Sequence, residues 1–179
     1  MVYIVLGTGF EEMEAVVPCD LLRRAGVDAR FVGIGGLEIT GSRGITVKAR
    51  ETETEASWDE AEMIVLPGGL GGVASIQGST VVMDAVQKAY GEGRWVAAIC
   101  AAPTILASLG FTEGKRACCY PGMEDEMGSA HMENVGCVRD GKIITGRAAG
   151  SAFDFGLALI EALRGREAAQ QIATEVVYS

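Results

Sequence analysis

Short runs of consecutive apolar residues alternate along the chain with longer stretches whose apolar positions recur every three or four residues. The runs at 3–6, 29–32, 63–66, 95–99 and 143–145 are predicted as β-strands. Several are apolar at successive positions, as strands covered on both faces are. The stretches at 11–25, 81–90, 103–109 and 152–163 carry helical spacing. In the last of these, Phe153, Leu157 and Ile160 stand at i, i+4 and i+7, and Ser151 with Asp154 has the spacing of a capping box. Pro18 falls inside the first helical stretch, where it predicts a kink or the helix's true start. Asp140-Gly141, within "VRDGKII", predicts a hairpin turn.

Strands alternating with helices imply a doubly wound, mostly parallel α/β sheet. No internal repeat, low-complexity tract or linker divides residues 1–179, so one domain is expected. In such sheets ligands collect outside the carboxyl ends of the strands, and the candidate chemistry is sought there.

Composition narrows the function classes. The hydrophobic fraction is 49% with only 6% aromatic, so the core is expected to be aliphatic. A formal charge of -9, with no Lys/Arg run, disfavours capture of nucleic acid or anionic lipid, which need clustered positive charge. No apolar stretch approaches the roughly 20 residues that span a bilayer. The start "MVYIVLGTGF" lacks the basic residues and length of a signal peptide. Five cysteines, an odd number, do not make a disulfide framework. A cytoplasmic protein with free thiols is expected. Cys19, Cys118, Cys119 and Cys137 are read as small buried or half-buried residues.

Three strand ends carry the candidate site. After the first comes "GTGFEEMEAV". Its Gly7-x-Gly9 opens like a dinucleotide fingerprint, but Glu12 stands where the third glycine belongs, so no nucleotide cofactor is expected. Acid placement at a helix N-terminus accounts for Glu11 and Glu12. Glu14 is different, because it shares a face with Val17 and Leu21, where an unpaired carboxylate is expensive. After the third strand comes "LPGGLGG", whose glycines either form an ordinary loop or turn the backbone N–H groups towards an anion. After the fourth comes "AAICAAP". Small neighbours around Cys100, a buried strand before it and a helix opening at Pro103 match the logic of a nucleophile elbow, with the helix end favouring a thiolate. A structural cysteine is the plainer alternative.

A Cys-His-acid triad needs a histidine, and the chain has only His131, in the polar loop "GSAHMENV" with no orienting acid nearby. Zinc is equally unsupported, since Cys118 and Cys119 are adjacent and one histidine cannot complete a usual site. No metal is expected. The partner left for Cys100 is a carboxyl group, and Glu14 is the candidate. Burial raises a carboxyl pKa, so it stays protonated and donates to a thiolate.

The segments "GFEEMEAVVPCDLLRRAG", "VLPGG", "AAICAAP", "CYPGMEDEM" and "GRAAGSAFDFGLALIEALRG", in this order and spacing, resemble the ThiJ/PfpI family in its parkinsonism-associated protein deglycase branch, nearly end to end. The resemblance implies a flavodoxin-like, class I glutamine amidotransferase-like fold and a homodimer. It implies Cys100 as the oxidisable nucleophile, Glu14 as the glutamate touching it, and the Gly69 and Ala101 N–H groups as an oxyanion hole. Arg24 and Arg43 match arginines near the dimer interface and the mouth of the site. Tyr120 stands where the branch often has a histidine, which shifts proton transfer towards Glu14. Ala101 stands where the protease-like relatives have histidine, so peptidase activity is not expected. The implied activity is a cofactor-free glyoxalase or deglycase acting on methylglyoxal-type α-oxoaldehydes or their early protein adducts. The rival is an oxidative-stress sensor or redox-regulated chaperone working through oxidation of the same cysteine.

Overall fold

The computed structural model describes residues 1–178. Its strands are β1 (Val2–Leu6), β2 (Ala29–Gly33), β3 (Glu38–Thr40), β4 (Thr46–Lys48), β5 (Glu51–Thr52), β6 (Met63–Leu66), β7 (Trp95–Ile99), β8 (Arg116–Ala117), β9 (His131–Met132), β10 (Cys137–Asp140) and β11 (Ile143–Gly146). Its helices are α1 (Glu12–Arg24), α2 (Leu70–Gly78), α3 (Thr80–Gly91), α4 (Pro103–Ser108), α5 (Ala152–Arg164) and α6 (Arg166–Glu175).

Seven strands form one sheet in the order β10-β11-β7-β6-β1-β2-β5, parallel throughout except for the β10–β11 pair. The central strands are apolar at every position because both faces are covered. Val2, Ile4 and Leu6 of β1 pack into one cluster with Leu21 and Leu22 of α1 and Phe155 and Leu159 of α5. Tyr3 and Val5 face the other way, into a cluster with Ile76, Val86 and Ile105 from the helices of the opposite layer. β6 and β7 alternate likewise: Met63, Val65, Ala97 and Ile99 on the first side, Ile64, Leu66, Val96 and Ala98 on the second. Truncating one of these fully buried side chains to alanine costs about 2–5 kcal/mol. The doubly wound, flavodoxin-like architecture is therefore the one expected.

The direction of winding positions the site. From β1 the chain passes through α1 to β2 on one side, and later strands build outward from β6 on the other. The strand order reverses between β1 and β6, and a crevice opens outside their carboxyl ends.

Four local expectations are corrected. Pro18 does not mark the start of α1, one of the two alternatives its position offered: the helix begins at Glu12, and Glu11 caps it by accepting the Glu14 N–H at 2.9 Å. The helix α5 crosses α1 beside Pro18, where Gly156 leaves room for the close approach. A Cβ there would stand 3.2 Å from Pro18 Cα and 2.7 Å from Leu21 Cδ1. That close crossing sets the face α5 buries, namely Ala152, Phe155, Gly156, Leu159 and Ile160, so Phe153 turns outward to stack on Tyr178 at 5.1 Å. The capping box does not form. Ser151 makes no side-chain cap, and Asp154 accepts the Tyr178 hydroxyl at 2.7 Å instead. The β10–β11 hairpin is present, but Asp140 pairs with Ile143, leaving Gly141-Lys142 as the loop with Gly141 at φ +59.

Candidate active site

Three neighbouring strands, β1, β6 and β7, deliver the loops of the site. At the end of β7 the backbone turns sharply at Cys100, a non-glycine residue at φ +67. A left-handed residue of this kind costs roughly 1–3 kcal/mol and persists only where its surroundings over-determine it. They do so here through two backbone hydrogen bonds. The Cys100 N–H donates to the Gly146 carbonyl on β11 at 3.0 Å, and the Cys100 carbonyl accepts the Tyr120 N–H at 2.8 Å. The elbow read from "AAICAAP" is thus formed, with the thiol half-buried.

Glu14, on the inner face of α1, is completely buried. Its Oε2 accepts the Gly68 N–H at 2.8 Å, while Oε1 is buried without a hydrogen-bond partner. Gly68 is the floor on which the two functional groups meet. A Cβ there would lie 2.5 Å from Glu14 Oε2 and 2.6 Å from Cys100 Cβ. Only glycine permits this approach, and the importance of Gly68 was not legible in "LPGGLGG" beyond the glycine itself.

Burial pushes the Glu14 carboxyl up to about 7, against the lowering effect of the Cys100 thiol and the Gly68 N–H. Burial also pushes the Cys100 thiol up, reinforced by the neighbouring Glu14 charge, and the Ala101 and Gly69 N–H groups only partly offset this. The helix α4, six residues long, opens at Pro103 just after the elbow. Cys100 and Glu14 titrate as a unit. One proton leaves the pair near neutral pH, and the second is held to much higher pH because two buried like charges repel.

The backbone N–H groups of Gly69 and Ala101 lie close enough to the thiol to oppose the effect of its burial. Gly69, at φ +84 and capping α2, lies against the Gly9 carbonyl and 2.7 Å from the Glu11 nitrogen, as measured from an added Cβ, so no side chain fits. The Gly-rich segment after β6 thus turns straight into a helix instead of remaining a loop. Tyr120 and Arg43 line the same cavity of about 880 Å³, together with Glu11, Leu70 and Met123. Tyr120 is half exposed at 48%. Arg24 does not line this cavity. It lies about three turns along α1 from Glu14 and pairs with Asp20 at 2.7 Å and Glu175 at 2.9 Å.

Glu12 does more than favour a helix end. It is 6% exposed and accepts hydrogen bonds from the segment after β3, which sequence reasoning missed because the partner lies some thirty residues away. His131 is exposed, in strand β9 rather than a loop, and lies outside the cavity wall. Cys118 and Cys119 are buried, and Cys118 is tied to Thr145 through its N–H at 2.9 Å. Among the described residues no three His, Cys, Asp or Glu side chains gather as a metal site, and no helix is long and apolar enough to cross a membrane.

The chain is similar to known proteins over nearly its whole length. Protein dj-1beta of Drosophila melanogaster is 36% identical over 173 residues, covering 95% of this chain and 92% of its own. A Pyrococcus abyssi protein described as a deglycase is 31% identical over 154 residues, covering 85% of this chain and 92% of its own. The crystal structure of Drosophila DJ-1beta superposes with a TM-score of 0.93 at 34% identity, over 99% of this chain and 97% of that one. Toxoplasma gondii DJ-1, described as oxidized, superposes with a TM-score of 0.94 at 31% identity, over 99% and 98%. Residues 1–162 match the DJ-1/PfpI family, and the chain belongs to it.

Proposed function

We propose that the protein is a cofactor-free, cysteine-dependent glyoxalase or deglycase acting on α-oxoaldehydes of the methylglyoxal type, free or as early adducts on proteins. The observation that carries this reading is a thiol at φ +67 meeting a completely buried carboxyl across Gly68 at the end of a strand. The relative described as a deglycase supports it.

In the reaction, the Cys100 thiolate adds to the aldehyde carbon, and the carbonyl oxygen takes a proton to give a hemithioacetal. The N–H groups of Gly69 and Ala101 hold the developing oxyanion, an interaction typically worth about 10²–10³ in rate per donor. Glu14 then removes the proton from the former aldehyde carbon and returns it to the neighbouring carbon by way of an enediol. This leaves a thioester of the hydroxy acid. Water cleaves it, releasing lactate from methylglyoxal and regenerating the thiol. Oxidant and metal are not consumed, so the sequence balances on substrate and water alone. The test is lactate formation from methylglyoxal by wild type and Cys100→Ala. Steady production by wild type, abolished in the variant, is expected.

A second reading has its own observation. Glu14 Oε1 is buried with no hydrogen-bond partner, which supports this reading because a protonated carboxyl can donate to an oxygen on an oxidised sulfur. Peroxide-driven oxidation of Cys100 without aldehyde turnover would favour a sensor over the enzyme, and mass spectrometry of the Cys100 peptide after peroxide reads it directly.

A further inference from the structure

Glu12 is a buried acid that the proposed chemistry does not use. Its Oε1 accepts the Arg43 N–H at 2.7 Å and the Ile45 N–H at 3.4 Å, and its Oε2 accepts the Ser42 hydroxyl at 3.3 Å. The same segment is laced to the start of α1 through its backbone. The Ser42 N–H donates to the Phe10 carbonyl at 2.7 Å, and the Gly9 N–H donates to the Thr40 carbonyl at 2.8 Å. Gly41 has no side chain because Glu12 Oε1 occupies the place its Cβ would take. Burial pushes the Glu12 carboxyl up, but the N–H groups of Arg43, Glu12 and Ile45 with the Ser42 hydroxyl outweigh it and hold it below the usual carboxylate range. Such an acid is ionised at neutral pH and firmly held.

This anchored segment carries Arg43 to the wall of the Cys100 cavity. Among the described residues, Arg43 is the one cation in that wall, and its guanidinium is paired with no carboxylate. Besides Cys100 and Tyr120, the other ionisable groups lining the cavity are Glu11 and Glu14, both acids, in a protein of net charge -9. An unpaired arginine in the wall of a cavity that also holds the nucleophile, where the other ionisable groups are acids, favours a reactant with a negative group.

We propose that Glu12 is a positioning residue that fixes the 41–45 segment, and that Arg43, so held, makes the mouth of the Cys100 cavity selective for reactants bearing a carboxylate or similar anionic group. The inference rests on the reading of Cys100 as the nucleophile, and it names the class of substrate that site takes: α-oxoaldehydes or adducts with an acidic group near the reacting carbonyl.

The probe is a matched pair of alkylating agents, iodoacetate and iodoacetamide, which differ in charge and hardly in size. In each, the Cys100 sulfur displaces iodide, forming a C–S bond as the C–I bond breaks. The ratio of the two rates, followed on the Cys100 peptide by mass spectrometry, cancels changes in thiol ionisation and needs no turnover. Arg43→Gln is expected to lower the iodoacetate/iodoacetamide ratio about two- to fivefold, the worth of an exposed ion pair, because Glu11 and Glu14 then face the anion alone. Arg43→Lys should largely keep the ratio, and added salt should erode it in wild type. Glu12→Gln should lower it towards the Arg43→Gln value, and the double variant should fall no further. Gly41→Ala supplies an independent route, displacing the Glu12 side chain while keeping its charge, and should lower the ratio as well. An unchanged ratio in Arg43→Gln overturns the selective mouth, and unchanged ratios in folded Glu12→Gln and Gly41→Ala overturn the positioning role. If neither reagent labels Cys100, the nucleophile reading falls and this inference with it. Equal labelling by both reagents in every variant overturns this inference alone.

Discussion

Gly68 donates its N–H to Glu14 Oε2 at 2.8 Å while its missing side chain leaves the space in which Cys100 Cβ stands 2.6 Å from where a Cβ would be. One residue therefore both holds the carboxyl and lets the thiol reach it. Gly68→Ala is expected to push the pair apart, lowering Cys100 alkylation and aldehyde turnover at least about tenfold, with a stability loss of roughly 1–3 kcal/mol from overpacking. Rates of iodoacetamide labelling and a denaturant melt check both halves. Wild-type labelling in a folded variant would show that the contact is not required.

The proton shared by Glu14 and Cys100 gives a pH signature. With the carboxyl pushed up to about 7, wild-type labelling of Cys100 should show a step near neutral pH. Glu14→Gln should abolish that step, leaving a thiol that titrates alone, and should cut turnover about 10²–10⁴-fold. The stability sign follows from the same shift. The unfolded carboxyl ionises near 4.5 and the folded one near 7, so the folded state holds the extra proton between them. Stability contributed by the protonated Glu14 is full below about pH 4.5 and is lost as pH rises towards 7, on the order of 3 kcal/mol. Relative to Glu14→Gln, wild type should lose melting temperature across that interval. A parallel pH dependence of the two proteins would contradict it.

Tyr120 tests where proton transfer resides. Its ring lines the cavity, but its side chain is half exposed and its backbone, not its hydroxyl, contacts the elbow. Tyr120→Phe should therefore change turnover by less than about threefold, small beside the general acid–base effect assigned to Glu14. Loss of activity in Tyr120→Phe with activity retained in Glu14→Gln would reverse the assignment.

The homodimer implied by the family resemblance is a proposal that solution measurement decides. α1 presents Met13 at 50% and Val16 at 43% exposure beside the site, apolar side chains a contact between copies would cover. Sedimentation at micromolar concentration should give a dimer, and Met13→Glu with Val16→Glu should shift it to monomer. A wild-type monomer would remove the dimer from the account.

The strands that bury both faces and the elbow were legible because each is written locally. β6 and β7 are apolar at every residue, and Cys100 sits between small neighbours before a helix-opening proline. Glu14 stood out because an acid on an apolar stripe needs a reason. What escaped depended on contacts distant in sequence. Glu12 reads as helix-end charge until the 41–45 segment arrives to be held. α2 hides in "LPGGLGG" because its glycines serve approach to Gly9 and Phe10 rather than helix propensity. The face buried by α5 was misjudged at Phe153 because the crossing at Gly156 and Pro18, not local spacing, sets the helix's rotation.

The strain at position 100 belongs to the backbone and not to the sulfur. Gly146 on one flank and Tyr120 on the other clasp the peptide units of the elbow, and neither contact involves the side chain. The scaffold therefore presents whatever residue occupies that corner, at the same angle and over the same pair of N–H groups. The aim of the Cα–Cβ bond at that corner is thus set by main-chain contacts from two other segments, and the elbow is a property of the sheet end rather than of the sulfur it carries.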